Sequence, residues 1–138
     1  MSPFAAVTQL VLGELEKQVL LYFWRIKSAD AKRVHAHFSK SRGGSLNTIQ
    51  STLDRLYKKE LLTRHKEGHA YQYQAAVDRK EFIGSLIQEV ADEYSKGDDD
   101  GMLAAFVSFS AELDSENLDR LEELIRRYRE RTSAGDSE

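Results

Sequence analysis

Residues 45–74 read SLNTIQSTLDRLYKKELLTRHKEGHAYQYQ, and this stretch decides the fold. It opens in helical rhythm and closes in strand alternation, with Lys, Arg and His between. Over residues 46–59, Ile49, Leu53 and Leu56 recur at three- and four-residue spacing and make one apolar stripe. At about 100° per residue, Asn47, Ser51, Asp54 and Lys58 point the opposite way. Thr48 and Arg55 lie on the flank of that outer face, and Gln50 lies near the edge of the buried one. Ser45 is placed to cap the helix. Then LLTRHK and AYQYQA read as two strands around EGH, where Gly68 supplies a positive-φ position. Leu62, Tyr71 and Tyr73 fit a half-buried ribbon. Arg64, His65, Lys66 and His69 crowd the tip and its approach.

Upstream, Leu12, Leu15, Val19, Phe23 and Ile26 give a helix over Leu12–Trp24, with Glu14 and Glu16 at its dipole-favoured start. Tyr22 and Trp24 flank that stripe as core or dimer contacts. Asp30 is a good N-cap for a second helix to about Lys40, with Val34 and Phe38 inward. SRGGS, through Gly43 and Gly44, turns the chain into the third helix. Three helices followed by a basic hairpin make a winged helix-turn-helix. That arrangement sends its third helix into the major groove of DNA and its hairpin onto backbone or minor groove. Charged hairpin tips are common in any protein, so the order of elements says more than any one of them.

Downstream, Asp78 and Glu81 resemble a capping box. Phe82, Leu86 and Val90 form a stripe, widened by Ile83 and Ile87. SKGDDDG breaks it, and MLAAFVSFSAEL reads as a short apolar helix. Ser115 can cap a last helix, ENLDRLEELIRRYRER, in which Leu118, Leu121, Ile125 and Tyr128 keep a heptad rhythm. TSAGDSE reads as a disordered tail. These helices are too few and too apolar to stand alone as a bundle, so pairing with a second copy is the economical solution. The expected fold is mainly α with a small β-hairpin. It comprises a winged helix-turn-helix domain over residues 1–77, a helical dimerisation region over 78–131 and a tail over 132–138.

Charge divides along the same line. Residues 1–77 carry 12 Lys/Arg against 6 Asp/Glu, a net +6, and residues 78–138 carry 8 against 17, a net −9. A basic half suits a polyanion and an acidic half repels one; the plainer alternative is two solvated surfaces. The chain has no Cys, which excludes disulfides, thiolate metal sites and Cys nucleophiles. No apolar run is long enough to cross a bilayer. The opening MSPFAAVTQLVLGELE lacks a basic leader pattern and reads as a short tail entering a helix, so a cytoplasmic protein is expected. No nucleophile motif, phosphate loop or His-Glu metal helix points to catalysis. His35 and His37 do not face one another. His65 and His69 straddle the hairpin tip but lack a third ligand, so no metal or other cofactor is expected.

With those residues in place, the chain resembles the penicillinase-repressor family (BlaI/MecI/CopY type) of winged-helix transcriptional repressors. The resemblance covers about residues 10–131. Its pieces are LGELEKQVLLYFW, TIQSTLDRLYKKELLTRHKEGHAYQYQ, MLAAFVSF and LDRLEELI. It implies a dimeric repressor on a dyad operator. In founding members the controlled genes encode β-lactam resistance, and a sensor-linked protease cuts the repressor at an Asn-Phe bond in the helical tail. The matching residues here are Ala105 and Phe106, so the Phe is kept and the Asn is not. The plainer role for Phe106 is a dimer-core aromatic. The copper-responsive branch relies on a C-terminal cysteine motif that this chain lacks. Leu46 stands where relatives often have Pro, and Asn47 where they often have a basic residue. Asp54 puts an acid on the outward face, where it repels phosphate unless it reads a cytosine or pairs with Arg55 or Lys58.

Asn47, Thr48, Ser51 and Arg55 are the expected base contacts, because Asn pairs bidentately with adenine, Arg with guanine, and a Thr methyl meets a thymine methyl. Arg42, Ser45, Lys58, Lys66 and His69 are the expected phosphate contacts, which position without specifying. Phe82, Leu86, Phe106, Leu118, Leu121, Ile125 and Tyr128 are the expected dimer contacts. Two other readings stay open: a regulator with a small-ligand pocket in its helical tail, and a winged-helix module that binds protein instead of nucleic acid.

Overall fold

The structure, a computed structural model, describes residues 12–136; the opening segment read as a tail and the last two residues lie outside the described residues. The elements run α1 (Glu14–Phe23), α2 (Ala31–Ser39), α3 (Leu46–Lys58), β1 (Leu62–Glu67), β2 (Ala70–Ala75), α4 (Arg79–Tyr94), α5 (Asp99–Leu113) and α6 (Asn117–Asp136). They fall into two units, one ending at Glu89 and one starting at Val90. This unit boundary lies inside α4, beyond residue 77, the end expected for the DNA-binding domain.

The first unit is built on the stripes that the sequence shows. Val19 and Phe23 of α1, Val34 and Phe38 of α2, and Ile49, Leu53 and Leu56 of α3 are buried together with Leu20, Leu61, Leu62, Tyr73, Val77 and Phe82. The helix starts follow local chemistry. The Asp30 carboxylate accepts from Arg33 N–H at 2.9 Å and the Ser45 hydroxyl from Thr48 N–H at 3.1 Å. Asp78 and Glu81 close the reciprocal box, with Glu81 N–H donating to Asp78 at 2.7 Å and Asp78 N–H to Glu81 at 3.2 Å. Between α2 and α3 the Phe38 carbonyl takes the N–H groups of Ser41, Arg42 and Gly43. Gly43 and Gly44 then run at φ +79° and +109°, values that cost an L residue a clash. This turn aims α3.

The hairpin pairs Leu62 with Ala75 and Glu67 with Ala70, so its tip is the two residues Gly68 and His69 and not the triplet EGH. Gly68 has φ +66°, at the first position of the loop, where type II′ turns place Gly. The base of the hairpin is tied down from outside. Ala29 and Tyr73 exchange both backbone hydrogen bonds, at 3.0 and 2.8 Å. That single bridge is a rudimentary third strand, which the sequence pattern does not reveal. The Trp24 indole N–H donates to the Val77 carbonyl at 2.9 Å, and its ring meets Phe82 edge-on at 5.6 Å. Phe82 is thus buried in the core of the first unit, and Leu86, expected with it as a dimer contact, packs on the same cluster. Ile83, Ile87, Val90 and Tyr94 are the large apolar residues of α4 left exposed.

In the second unit, α5 begins three residues before the expected Met102, because the Asp98 carboxylate caps Gly101 N–H at 3.0 Å. Asn117 Nδ2 donates to the Ser110 carbonyl at 3.1 Å and joins α6 to α5. Before α6 the Asp114 carboxylate, not the expected Ser115, accepts from Glu116 N–H at 3.0 Å. The helix then continues through Asp136 and absorbs most of the segment read as a disordered tail. Arg126 bridges Glu123 and Glu130, and the Thr132 hydroxyl bonds back to the Tyr128 carbonyl at 3.1 Å. No helix among the described residues is long and apolar enough to cross a membrane.

Candidate nucleic-acid interface

The outward side of α3 is polar along its whole length. Asn47, Thr48, Gln50, Ser51, Arg55 and Lys58 are all exposed, while Ile49, Thr52, Leu53 and Leu56 hold the helix to the core. Gln50, expected at the buried edge, therefore belongs to the open surface. Small side chains at the N-terminal end leave room for a base-pair edge to approach. Ser45 and Thr48 are partly committed, since their hydroxyls meet at 3.0 Å and Ser45 caps the helix.

Arg55 is only half free. Its side chain is 51% exposed, yet Nε lies 3.8 Å from Glu16 Oε1 and Nη2 donates to Thr52 Oγ1 at 3.2 Å. Glu16, buried in α1, is the acid that organises this seam. It also takes Lys59 Nζ at 2.6 Å and Gly13 N–H at 3.4 Å. An acid in a first turn reads as a dipole complement; nothing local in the sequence marks it as a buried tie between α1 and α3.

The acid at Asp54 is also answered from within the protein. Lys58 Nζ lies 3.0 Å and Arg64 Nη1 3.3 Å from its carboxylate. These partners, Lys58 first, hold the carboxyl below the ordinary carboxylate range. Of the two partners considered from sequence, Lys58 is the real one, and Arg64 from the hairpin replaces Arg55. Arg64 is 23% exposed and lies over the rings of Tyr57 at 3.9 Å and Tyr71 at 4.2 Å. Of the hairpin's basic side chains, His65, Lys66 and His69 remain exposed, with Lys66 Nζ 5.4 Å from the Tyr71 ring. Arg42, on the turn before α3, donates to Gln18 at 3.0 Å and remains exposed.

The four histidines do structural or surface work. His35 bonds the Gly44 carbonyl at 3.0 Å and His37 stacks on Tyr22 at 4.2 Å. His65 pairs across the hairpin with Gln72, and His69 sits at the tip. Among the described residues no group of three or more His, Cys, Asp or Glu is placed to hold a metal ion.

A helix with an open polar face, presented by a Gly turn and flanked by a hairpin carrying cations, defines a winged-helix DNA-binding protein. Residues 12–127 match the penicillinase repressor family, and the chain belongs to that family. It is accordingly a DNA-binding transcriptional repressor and not an enzyme, which sets aside the protein-only module. A penicillinase repressor of Bacillus licheniformis is 26% identical over 120 residues, 87% of this chain and 93% of that protein. The transcriptional regulator BlaI of Mycobacterium tuberculosis is 29% identical over 112 residues, 80% of this chain and 79% of that one. The solution structure of the DNA-binding domain of the repressor BlaI aligns at 32% identity over 51% of this chain and 87% of that chain, with a TM-score of 0.48.

Proposed function

We propose that the protein represses transcription as a homodimer on a dyad operator, each protomer reading one half-site. Asn47, Thr48, Ser51 and Arg55 contact bases; Arg42, Ser45, Lys58, Lys66 and His69 contact phosphates. The observation that carries the base-reading part is the unbroken polar exposure of α3 opposite its Ile49–Leu53–Leu56 stripe. Arg55 joins the base contacts by leaving Glu16, which keeps Lys59 as its partner. For pairing, the support is α5. This 15-residue helix has no buried residue, with Phe109 58% and Leu113 64% exposed. Apolar surface of that extent marks an interaction site in a soluble protein. Leu118 and Leu121 are half-buried, and Phe106, Ile125 and Tyr128 are exposed beside it.

Derepression by cleavage at Ala105–Phe106 fits the same surface. Both residues are exposed, in the middle of α5, where the bond must leave the helix before a protease can take it. In the unpaired protomer, a helix with nothing buried opens at low cost. Cutting there severs α6 from the first half of α5 and weakens both pairing and repression. The names of relatives, penicillinase repressor and methicillin resistance regulatory protein MecI, support β-lactam-resistance genes as the kind of target; a sensor-linked protease is the partner that such cleavage requires.

The test is fluorescence anisotropy with a labelled duplex from upstream of the protein's own gene and a scrambled duplex of equal length, across a salt series. The expected result is preferential binding of the upstream duplex, two chains per site, lost in Asn47→Ala/Arg55→Ala. Equal weak binding of both duplexes at all salt concentrations overturns the sequence-specific reading.

One observation favours a second reading, a regulator that answers to a small ligand. Within the first unit, Leu12, Leu20, Leu21, Trp24, Phe82, Ile83 and Leu86 line a groove of about 550 Å³, with Lys17 and Arg79 on its edge. That volume suits a small organic molecule, and it lies on the winged-helix unit instead of the helical tail where such a pocket was expected.

A further inference from the structure

We propose that Arg64 is not a DNA ligand but the residue that positions the wing against the reading helix, with Asp54 as its anchor. The inference rests on the DNA-reading role of α3 proposed above. A two-stranded hairpin is marginal by itself in water. Here its base is secured by buried Leu61 and Leu62 and by the Tyr73–Ala29 bridge, and Lys66 and His69 lie beyond that base. Midway along β1, Arg64 turns back to α3. Its guanidinium meets Asp54 at 3.3 Å and covers Tyr57, also on α3, and Tyr71 on β2. One side chain thereby ties both strands to the helix.

The chemistry suits Arg specifically. A planar guanidinium can lie on aromatic faces and still aim N–H groups at a carboxylate, which a Lys ammonium does not reproduce. The pair also explains an acid on a DNA-facing helix. Asp54 holds Arg64 inward, so the wing's basic side chains left to meet phosphate are Lys66 near the end of β1 and His69 at the tip, at a set distance from Asn47 and Ser51.

The sign of one substitution separates this role from its alternative. An acid that merely sits near DNA repels phosphate, so Asp54→Asn raises affinity for any duplex. An anchor for the wing predicts the reverse for the upstream duplex. The expected result is a loss of about fivefold or more in its affinity, with scrambled-duplex affinity unchanged or higher. Arg64→Gln is expected to lose a similar factor, and the double variant no more than either single one. In the free, full-length protein, Asp54→Asn also speeds amide exchange at residues 64–71 while α2 amides stay protected, which shows the fold intact. Equal or tighter binding of the upstream duplex by Asp54→Asn, with unchanged hairpin exchange, overturns the proposal. If the wild type binds neither duplex while the exchange effect holds, the DNA reading fails and the helix–wing tie stands.

Discussion

Glu60 has φ +65°, the one non-Gly residue among those described with positive φ. It links α3 to β1, a join that a left-handed residue makes compact, at a steric cost that glycine avoids. Glu60→Gly is expected to stabilise the protein by about 1 kcal/mol, seen as a higher urea midpoint with an unchanged slope. Asp54 gives the pH dependence. Its folded carboxyl titrates below the ordinary range through Lys58 and then Arg64. A depressed acid contributes above its unfolded pKa and loses that contribution as pH falls through the folded one. The unfolding-midpoint gap between wild type and Asp54→Asn should therefore be flat from neutral pH to about 5 and close only below about 4. Glu60 is an ordinary surface type and does not stand out in the sequence. Asp54 does, as an acid on the outward face of α3 with Lys58 four positions on, but its second partner, Arg64, lies ten positions away on a different element.

At the scale of elements, what was legible is what local chemistry decides. Asp30, Ser45 and Asp78 were readable as caps because capping spans three residues. Ser45→Ala should cost about 1 kcal/mol and fray the end of α3 that carries Asn47 and Thr48, measurable as lower stability together with weaker operator binding. The wing was legible as two strands, but its role was only half so. Its cations look equivalent in sequence, whereas Lys66 is open and Arg64 is folded back. For a dimer, Lys66→Ala is expected to flatten the slope of log affinity against log salt by about 2, one phosphate per protomer, and to weaken scrambled and upstream duplexes alike. A change confined to the upstream duplex would place Lys66 on bases instead.

At the scale of the molecule, α5 and α6 carry an apolar surface that their own unit leaves open. Phe109→Asp puts a charge into that surface. Sedimentation velocity should then show dimer giving way to monomer, with operator affinity falling by about tenfold or more, since burial of a Phe contributes about 1.5–3 kcal/mol. An unchanged dimer would move the pairing surface elsewhere, with Ile83 and Ile87 on α4 the next candidates.

The sequence by itself determined the winged-helix order, the reading helix with its inward and outward faces, most caps and the family. All of these depend on periodicity, or on chemistry within a few residues, which a linear string records directly. Only the tertiary structure decided which charges are spent inside the protein. Arg64 meets Asp54, Lys59 meets Glu16, and Phe82 meets Trp24 across separate elements. Those pairings depend on where helices and hairpin come to rest after the core has closed, and electrostatic and ring contacts act over distances that sequence separation does not encode.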